Sequence, residues 1–264
     1  MIQNQAKVRH AIILAAGLGT RLYPLTERRP KPLVPVHGVP ILHNALRCLA
    51  QAGVQQVTII VGYRKEAIVR SCGHSFAGLE ITYCESSVFD RTGSAYSLWL
   101  ARDFLRQDTL VLEGDVFFEP DVLARLLSAE AADTAAVAPF DETMTGSAVT
   151  LSDGGEVRAI RMNQTAADAR AEPLFKTLNL FNFKAETLAA HLRPALDEMI
   201  GCGAVTSYFE QLLKHLIDAR GLRLNAADCG DLRWMEIDSE ADLRTAEAIF
   251  APEGTRVQAP AIAV

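Results

Sequence analysis

Two basic residues, Arg21 and Lys31, follow a glycine turn in the stretch AIILAAGLGTRLYPLTERRPKPLVPV, residues 11 to 36. The apolar run AIILAA stops abruptly in Gly17-Leu18-Gly19-Thr20-Arg21. Glycines at such a place let backbone N–H groups approach a phosphate closely. A guanidinium and an ammonium just beyond would neutralise the charge that moves in phosphoryl chemistry. Taken alone, GLGT fits a plain tight turn equally well. Two familiar phosphate loops are excluded: Gly19 is followed by Thr20-Arg21 instead of Lys-Ser/Thr, and the third glycine of a dinucleotide fingerprint is replaced by Leu22. Pro24, Pro30, Pro32 and Pro35 keep the following segment out of helix, so it can fold back across the loop.

Acidic residues supply the second constellation. Asp115 follows the run LVLEG, and Asp238 stands in WMEIDSEADL between a short strand and a helix. A lone Asp at such a place ordinarily makes a turn or caps a helix. Two from separate strand ends would also suit Mg²⁺, which is held by one or two carboxylates with phosphate oxygens and water. Strand alternation puts Glu113 on the face of Asp115 and Glu236 on that of Asp238, as supports or as ion-pair partners. Lys176 begins the run KTLNLFNF, where the same alternation puts Asn179 and Asn182 on opposite faces. Ser94 is expected to N-cap the helix that begins GSAYSL. Trp99 and Phe104 are expected in the core, and Trp234 either packs or stacks on a quaternary ammonium.

The elements that must position these residues alternate. HAIILAA, QVTIIVG, LEITYCE and TLVLEGDVFF read as strands, the first because its apolar run is continuous. PILHNALRCLAQAG, KEAIVRSC, GSAYSLWLARDFL and EPDVLARLLSAE read as the intervening helices. Strand–helix repetition predicts a parallel sheet with helices on both faces. AVTLSDGGEVRAIRM reads as a hairpin turning at Asp153-Gly154-Gly155, followed by the strand KTLNLFNF. The segment between them, MNQTAADARAEPLF, is polar and reads as a loop able to close over a substrate. AETLAAHL, PALDEMIG and SYFEQLLKHLIDARG read as helices, and MEIDSEADLRTAEAIF as a strand end and a helix N-capped by Ser239. Residues 1–251 are expected to form one domain, with 252–264 a flexible tail.

Composition narrows the function classes. The 264 residues are 49% apolar, enough for a sizeable core, and no apolar run reaches the ~18 residues that span a bilayer. MIQNQAKVRH lacks the apolar stretch of a secretory signal, so a cytoplasmic location is expected and a membrane partner is not. Five scattered cysteines without a CxxC pair suggest neither a disulfide framework nor a zinc site. Six histidines show no HxxxH or HExxH spacing. A net charge of −6 speaks against nucleic acid as a partner but not against a small anionic substrate.

The longer pattern Gly17-x-Gly19-Thr20-Arg21-x-x-Pro24-x-Thr26-x-x-x-Pro30-Lys31 resembles the signature of the nucleotidyltransferases that join a nucleoside triphosphate to a phosphorylated acceptor. The resemblance runs from about residue 10 to about 250. It implies a Rossmann-like three-layer α/β/α sandwich with a mostly parallel mixed sheet, and Mg²⁺ as cofactor held by Asp115 and Asp238. It implies Arg21 on the leaving pyrophosphate, Lys31 near the α-phosphate, and a nucleotide site formed by Ala16, Gly17, Gly19, Thr20, Gly62, Thr92, Gly93 and Ser94. Lys176 matches the strand lysine that binds the acceptor phosphate. YSLWLA from Tyr96, GYRKEAI from Gly62 and the EID of 236–238 lean toward the phosphocholine and phosphonate cytidylyltransferase branch, although Gly93-Ser94 stand where that branch often has two asparagines. The implied reaction passes CMP from CTP to a small phosphate or phosphonate acceptor and releases pyrophosphate. A sugar-1-phosphate nucleotidylyltransferase using another triphosphate and a non-catalytic nucleotide-sensing domain are the alternatives. A homodimer is left open.

Overall fold

The computed structural model describes residues 8–128 and 132–252; the expected tail beyond 252 lies outside the described residues. In chain order the strands are β1 (His10–Ala15), β2 (Pro35–Val36), β3 (Val39–Pro40), β4 (Gln56–Val61), β5 (Ser75–Phe76), β6 (Leu79–Glu85) and β7 (Thr109–Glu113). Then come β8 (Val116–Phe118), β9 (Thr134–Pro139), β10 (Gly146–Leu151), β11 (Val157–Gln164), β12 (Phe175–Phe183), β13 (Asn225–Asp228) and β14 (Trp234–Glu236). The helices are α1 (Ile41–Gln51), α2 (Lys65–Cys72), α3 (Ser94–Leu100), α4 (Pro120–Leu127), α5 (Ala166–Ala171), α6 (Ala185–Thr187), α7 (Arg193–Gly201), α8 (Phe209–Arg220) and α9 (Glu240–Ile249).

Ten strands form one mixed sheet whose spine runs β11-β10-β12-β7-β1-β4-β6-β5, with β9 branching from β12 and β13 pairing with β9. Its centre, β7-β1-β4-β6, is parallel. β12 joins it antiparallel, pairing Leu180 with Leu112 and Phe183 with Thr109. The pleat of β1 feeds both faces. Ala11, Ile13 and Ala15 pack with Leu46 of α1, Ile68 of α2 and Leu123 of α4. Ile12 and Leu14 pack with Leu98 of α3, Leu196 of α7 and Leu212 of α8. These are the two outer layers expected of a parallel sheet, and each fully buried Leu or Ile in them contributes about 1.5–3 kcal/mol.

Four expectations change. TLVLEGDVFF is two strands, because Gly114 N donates to Leu14 O while Asp115 O accepts from Ile237 N, which sends β8 out to pair with β14. Within MNQTAADARAEPLF a short helix, α5, forms, started by Thr165 and Asp168, whose carboxylate accepts from Thr165 N at 2.9 Å. α3 ends at Leu100, and a 3₁₀ turn over Arg102–Phe104 leaves Phe104 39% exposed, stacked on His10 instead of buried in the core. Helices 185–192 and 194–201 are joined through a π-helical stretch, Leu188–Leu192. No described helix is long and apolar enough to cross a membrane.

Candidate active site

The glycine loop leaves β1 at the carboxyl edge of the parallel strands, where open α/β sheets bind ligands. Ala16 O accepts from Tyr63 N at 3.0 Å, and Thr26 Oγ1 donates to Gly19 O at 2.9 Å. Gly19 has φ 64, and a Cβ there would lie 2.7 Å from Lys31 Cβ, so glycine is what lets the loop turn over the lysine. A 3₁₀ turn over Thr20–Leu22 then buries Leu22 and leaves the Arg21 side chain 73% exposed. Lys31 opens a second 3₁₀ turn behind Pro30 and points inward.

Its ammonium joins the two aspartates that the sequence set 123 residues apart. Lys31 Nζ lies 2.7 Å from Asp115 Oδ2 and 2.6 Å from Asp238 Oδ1, and Arg21 Nη2 is 2.8 Å from the same Asp238 oxygen. Burial alone would lower the Lys31 pKa; Asp115 and Asp238 outweigh it and raise it. Burial would likewise raise Asp238, and Lys31 followed by Arg21 pulls it below the usual carboxylate range. The other oxygen of Asp115, Oδ1, is buried without a protein partner.

The opposite wall comes from β12. Lys176 Nζ is 2.7 Å from Glu236 Oε2 and donates to Thr145 O at 3.2 Å. Asn179 Nδ2 donates to Glu236 Oε1 at 3.2 Å, and Thr177 Oγ1 donates to Asn179 Oδ1. Glu236 is thus an ion-pair partner. Two residues three apart reach one carboxylate because the register of β12 against β9 shifts between Thr177 and Phe181, and Asn179 lies in that bulge with φ 57. Burial pushes the Glu236 carboxyl up to about 7 against the pull of Lys176, with Asp115 and Asp238 adding to the rise. Burial, then Glu210 and Asp115, push Glu113 well above the usual range.

These groups line one cleft of about 500 Å³. Ala16, Gly17, Gly19 and Thr20 form its loop wall with Arg21 and Lys31; Asp115 and Asp238 meet at its floor; Lys176 faces them. Thr92, Gly93 and Ser94 lie along its side, where Gly93 N donates to Val205 O and a Cβ would fall 2.1 Å from Ser207 O. Gly62 does not line the cleft; it backs the loop, next to the Tyr63 amide that holds Ala16. Ser94 is not the N-cap of α3: Gly93 occupies that position, and the Ser94 hydroxyl accepts from Phe209 N at 2.9 Å, tying α3 to the start of α8. Trp234, the first residue of β14, is partly buried and packs against the core. Glu210, Ser147, Asn163 and Tyr208 also line the cleft. Sequence reasoning passed over Glu210 because an acid in the first turn of a helix reads as a solvated residue at a positive helix end.

No group of three or more His, Cys, Asp or Glu is disposed to hold a metal among the described residues. The pair Asp115 and Asp238 nevertheless fits a hard divalent cation: both offer carboxylate oxygens, one of them buried and unpartnered, and they already converge on a positive charge.

The sequence profile of the Nucleotidyl transferase family matches residues 10–147, more than half of the chain. The chain belongs to the Nucleotidyl transferase family. Among relatives, it is 38% identical over 243 residues to the CMP-5'-(3-aminopropyl)phosphonate synthase of Streptomyces rubellomurinus, covering 92% of this chain. The match spans only 39% of that relative's length. Among solved structures, the fold is similar to a CTP:phosphocholine cytidylyltransferase from Streptococcus pneumoniae (TM-score 0.75, 24% identity, 92% of this chain and 99% of that one). It is also similar to the inositol-1-phosphate CTP transferase of T. maritima (TM-score 0.72, 23% identity, 93% and 96%). The nucleotidyl transferase profile ends at Ser147, so Lys176, Glu210 and Asp238 of the cleft lie beyond it.

Proposed function

We propose that this nucleotidyl transferase passes CMP from CTP to a small acceptor bearing a phosphate or phosphonate, of the phosphocholine or aminoalkylphosphonate kind, and releases pyrophosphate. The observation that carries the reading is the meeting of Arg21, Lys31, Asp115 and Asp238 opposite Lys176 across one cleft. The loop amides and Arg21 bind the triphosphate, with Arg21 on the β- and γ-phosphates that leave. Lys31, held between the two aspartates, meets the charge that develops at the α-phosphorus. Lys176 holds the acceptor's phosphoryl oxygens, one of which attacks the α-phosphorus in line; the bond to the bridging oxygen breaks and pyrophosphate departs with that oxygen. Positioning and charge neutralisation supply the rate, and no covalent enzyme intermediate is needed.

A divalent cation such as Mg²⁺, held by Asp115 and Asp238, would neutralise phosphate oxygens when bound. CTP as donor is supported by the cytidylyl relative that matches along 92% of the chain.

The test is a panel of CTP, UTP, dTTP, GTP and ATP crossed with phosphonate, phosphocholine and sugar-1-phosphate acceptors, read by pyrophosphate release with and without divalent metal. CTP is expected to give the highest kcat/KM. A higher value for another triphosphate with a sugar phosphate establishes the sugar reading instead. Nucleotide binding without release in any combination establishes a sensing domain.

A further inference from the structure

The cleft carries more acid than its described cations neutralise. Lys31 and Arg21 are taken by Asp115 and Asp238, and Lys176 by Glu236. Glu210 has no ion pair among the described residues: Oε1 takes only a 3.5 Å contact from Ser147 Oγ, and Oε2 is buried with no partner at all. A buried carboxylate oxygen without a donor is costly, so one facing a polar cleft points to a donor that the ligand brings. Burial first, and then the charge of Asp115, push the Glu210 carboxyl up, which an incoming cation would reverse. Lys176 Nζ lies against Thr145 O and Gly146, and the next residue, Ser147, touches Glu210, so an acceptor whose phosphoryl group lies on Lys176 meets Glu210 with its other end.

We propose that Glu210 receives a primary ammonium on the acceptor, making the second substrate an aminoalkyl phosphonate or phosphate. This rests on the transfer reading above and specifies its acceptor end. A primary ammonium offers three N–H donors, one of which satisfies Oε2. A trimethylammonium offers none and is recognised by several aromatic faces. The aromatic rings among the described residues lining the cleft are Phe89 and Tyr208. Phe89 packs on Tyr63 behind the nucleotide loop, at 6.2 Å between ring centroids. Tyr208, 60% exposed and two residues before Glu210, is the one ring left at the acceptor end, too little for a cage.

The experiment compares 2-aminoethylphosphonate, ethylphosphonate and phosphocholine as acceptors for the wild type and for Glu210→Gln. The wild type is expected to favour the primary amine over ethylphosphonate by at least ~10-fold in kcat/KM, since the analogue leaves a buried charge unpaired. Glu210→Gln should cut that ratio by about 10-fold, chiefly through the KM of the amine. An unchanged ratio in the variant, or a wild-type preference for phosphocholine or ethylphosphonate, overturns the inference. Should Glu210→Gln fail to fold, Glu210→Asp withdraws the carboxylate by one methylene and the same ratio is read. If no triphosphate is turned over, calorimetric titration of the same three compounds onto the protein, with and without a non-hydrolysable CTP analogue, decides. Preference for the amine that depends on Glu210 then supports the inference while the transfer reading fails; equal binding sinks the inference as well.

Discussion

Replacing Lys31 by Met keeps the stem's length and removes the charge that joins Asp115 to Asp238. The ammonium makes contacts of 2.7 and 2.6 Å, its own side chain is 13% exposed, and the two carboxylates are 16% and 20% exposed. Stripping one member from a fully buried charge group costs about 3–5 kcal/mol, and the solvent these carboxylates retain reduces the expected loss to about 2–3 kcal/mol. For a chain of this size that corresponds to a drop in Tm of roughly 5–10 °C. Scanning calorimetry at pH 7 without divalent metal reads it directly. The sign of the pH dependence follows from Asp238, whose pKa is lowered in the folded state. Its contribution is present above the unfolded value of about 4 and is lost as pH falls through the folded value, so the gap between wild type and Lys31→Met closes below about pH 4. Millimolar Mg²⁺ should raise the variant's Tm more than the wild type's, because the two carboxylates no longer hold an ammonium. Turnover should fall at least ~100-fold, the scale on which a fixed charge at a reacting centre acts. A metal-free Tm within about 1 °C of wild type, together with turnover within about 3-fold, refutes the account of Lys31 as the hub of the site.

Lys176→Ala should raise the acceptor KM at least ~10-fold while CTP affinity, measured by calorimetry without acceptor, moves less than about 2-fold; loss of CTP binding with an intact acceptor KM reverses the assignment. His10 is buried between Thr58 and Thr109, and burial lowers its pKa to about 4. Because the unfolded histidine takes up its proton near 6.5, stability should decline as pH falls from about 6.5 to about 4, by about 3 kcal/mol in all. His10→Gln should flatten that stretch of the urea-midpoint profile, and an identical slope in the variant removes His10 as its source.

The parts of the fold that were legible in the sequence are those set by local pattern. The continuous apolar run of β1, the helical spacing of α1 and the Asp-Gly-Gly turn between β10 and β11 each specify an element without help from elsewhere. The glycine loop, Arg21, Lys31, Asp115 and Asp238 were legible as types at strand ends. What could not be read is what distant backbone decides. Nothing within TLVLEGDVFF shows that Ile237 will take the carbonyl of Asp115 and break the strand. Ser94 has every local feature of a cap, and it is the start of α8, 115 residues on, that claims its hydroxyl. β9 and β13 are short runs rich in alanine, Thr134–Pro139 and Asn225–Asp228, and their strand character comes from pairing with each other and from the pairing of β9 with β12. Glu210 belongs in this group: the side chains that act on it, Lys176, Ser147 and Asp115, are all remote in sequence.

The bulge in β12 gives one strand two alternating phases. Before it, Phe175 and Lys176 pair with β10; after it, residues 180–183 pair with β7, next to the strand that carries the glycine loop. The extra residues let Lys176 be indexed independently of the sheet's centre. A lineage could therefore lengthen or shorten this step and re-aim Lys176 within the cleft, while the hydrogen-bond frame beneath the glycine loop stays in register.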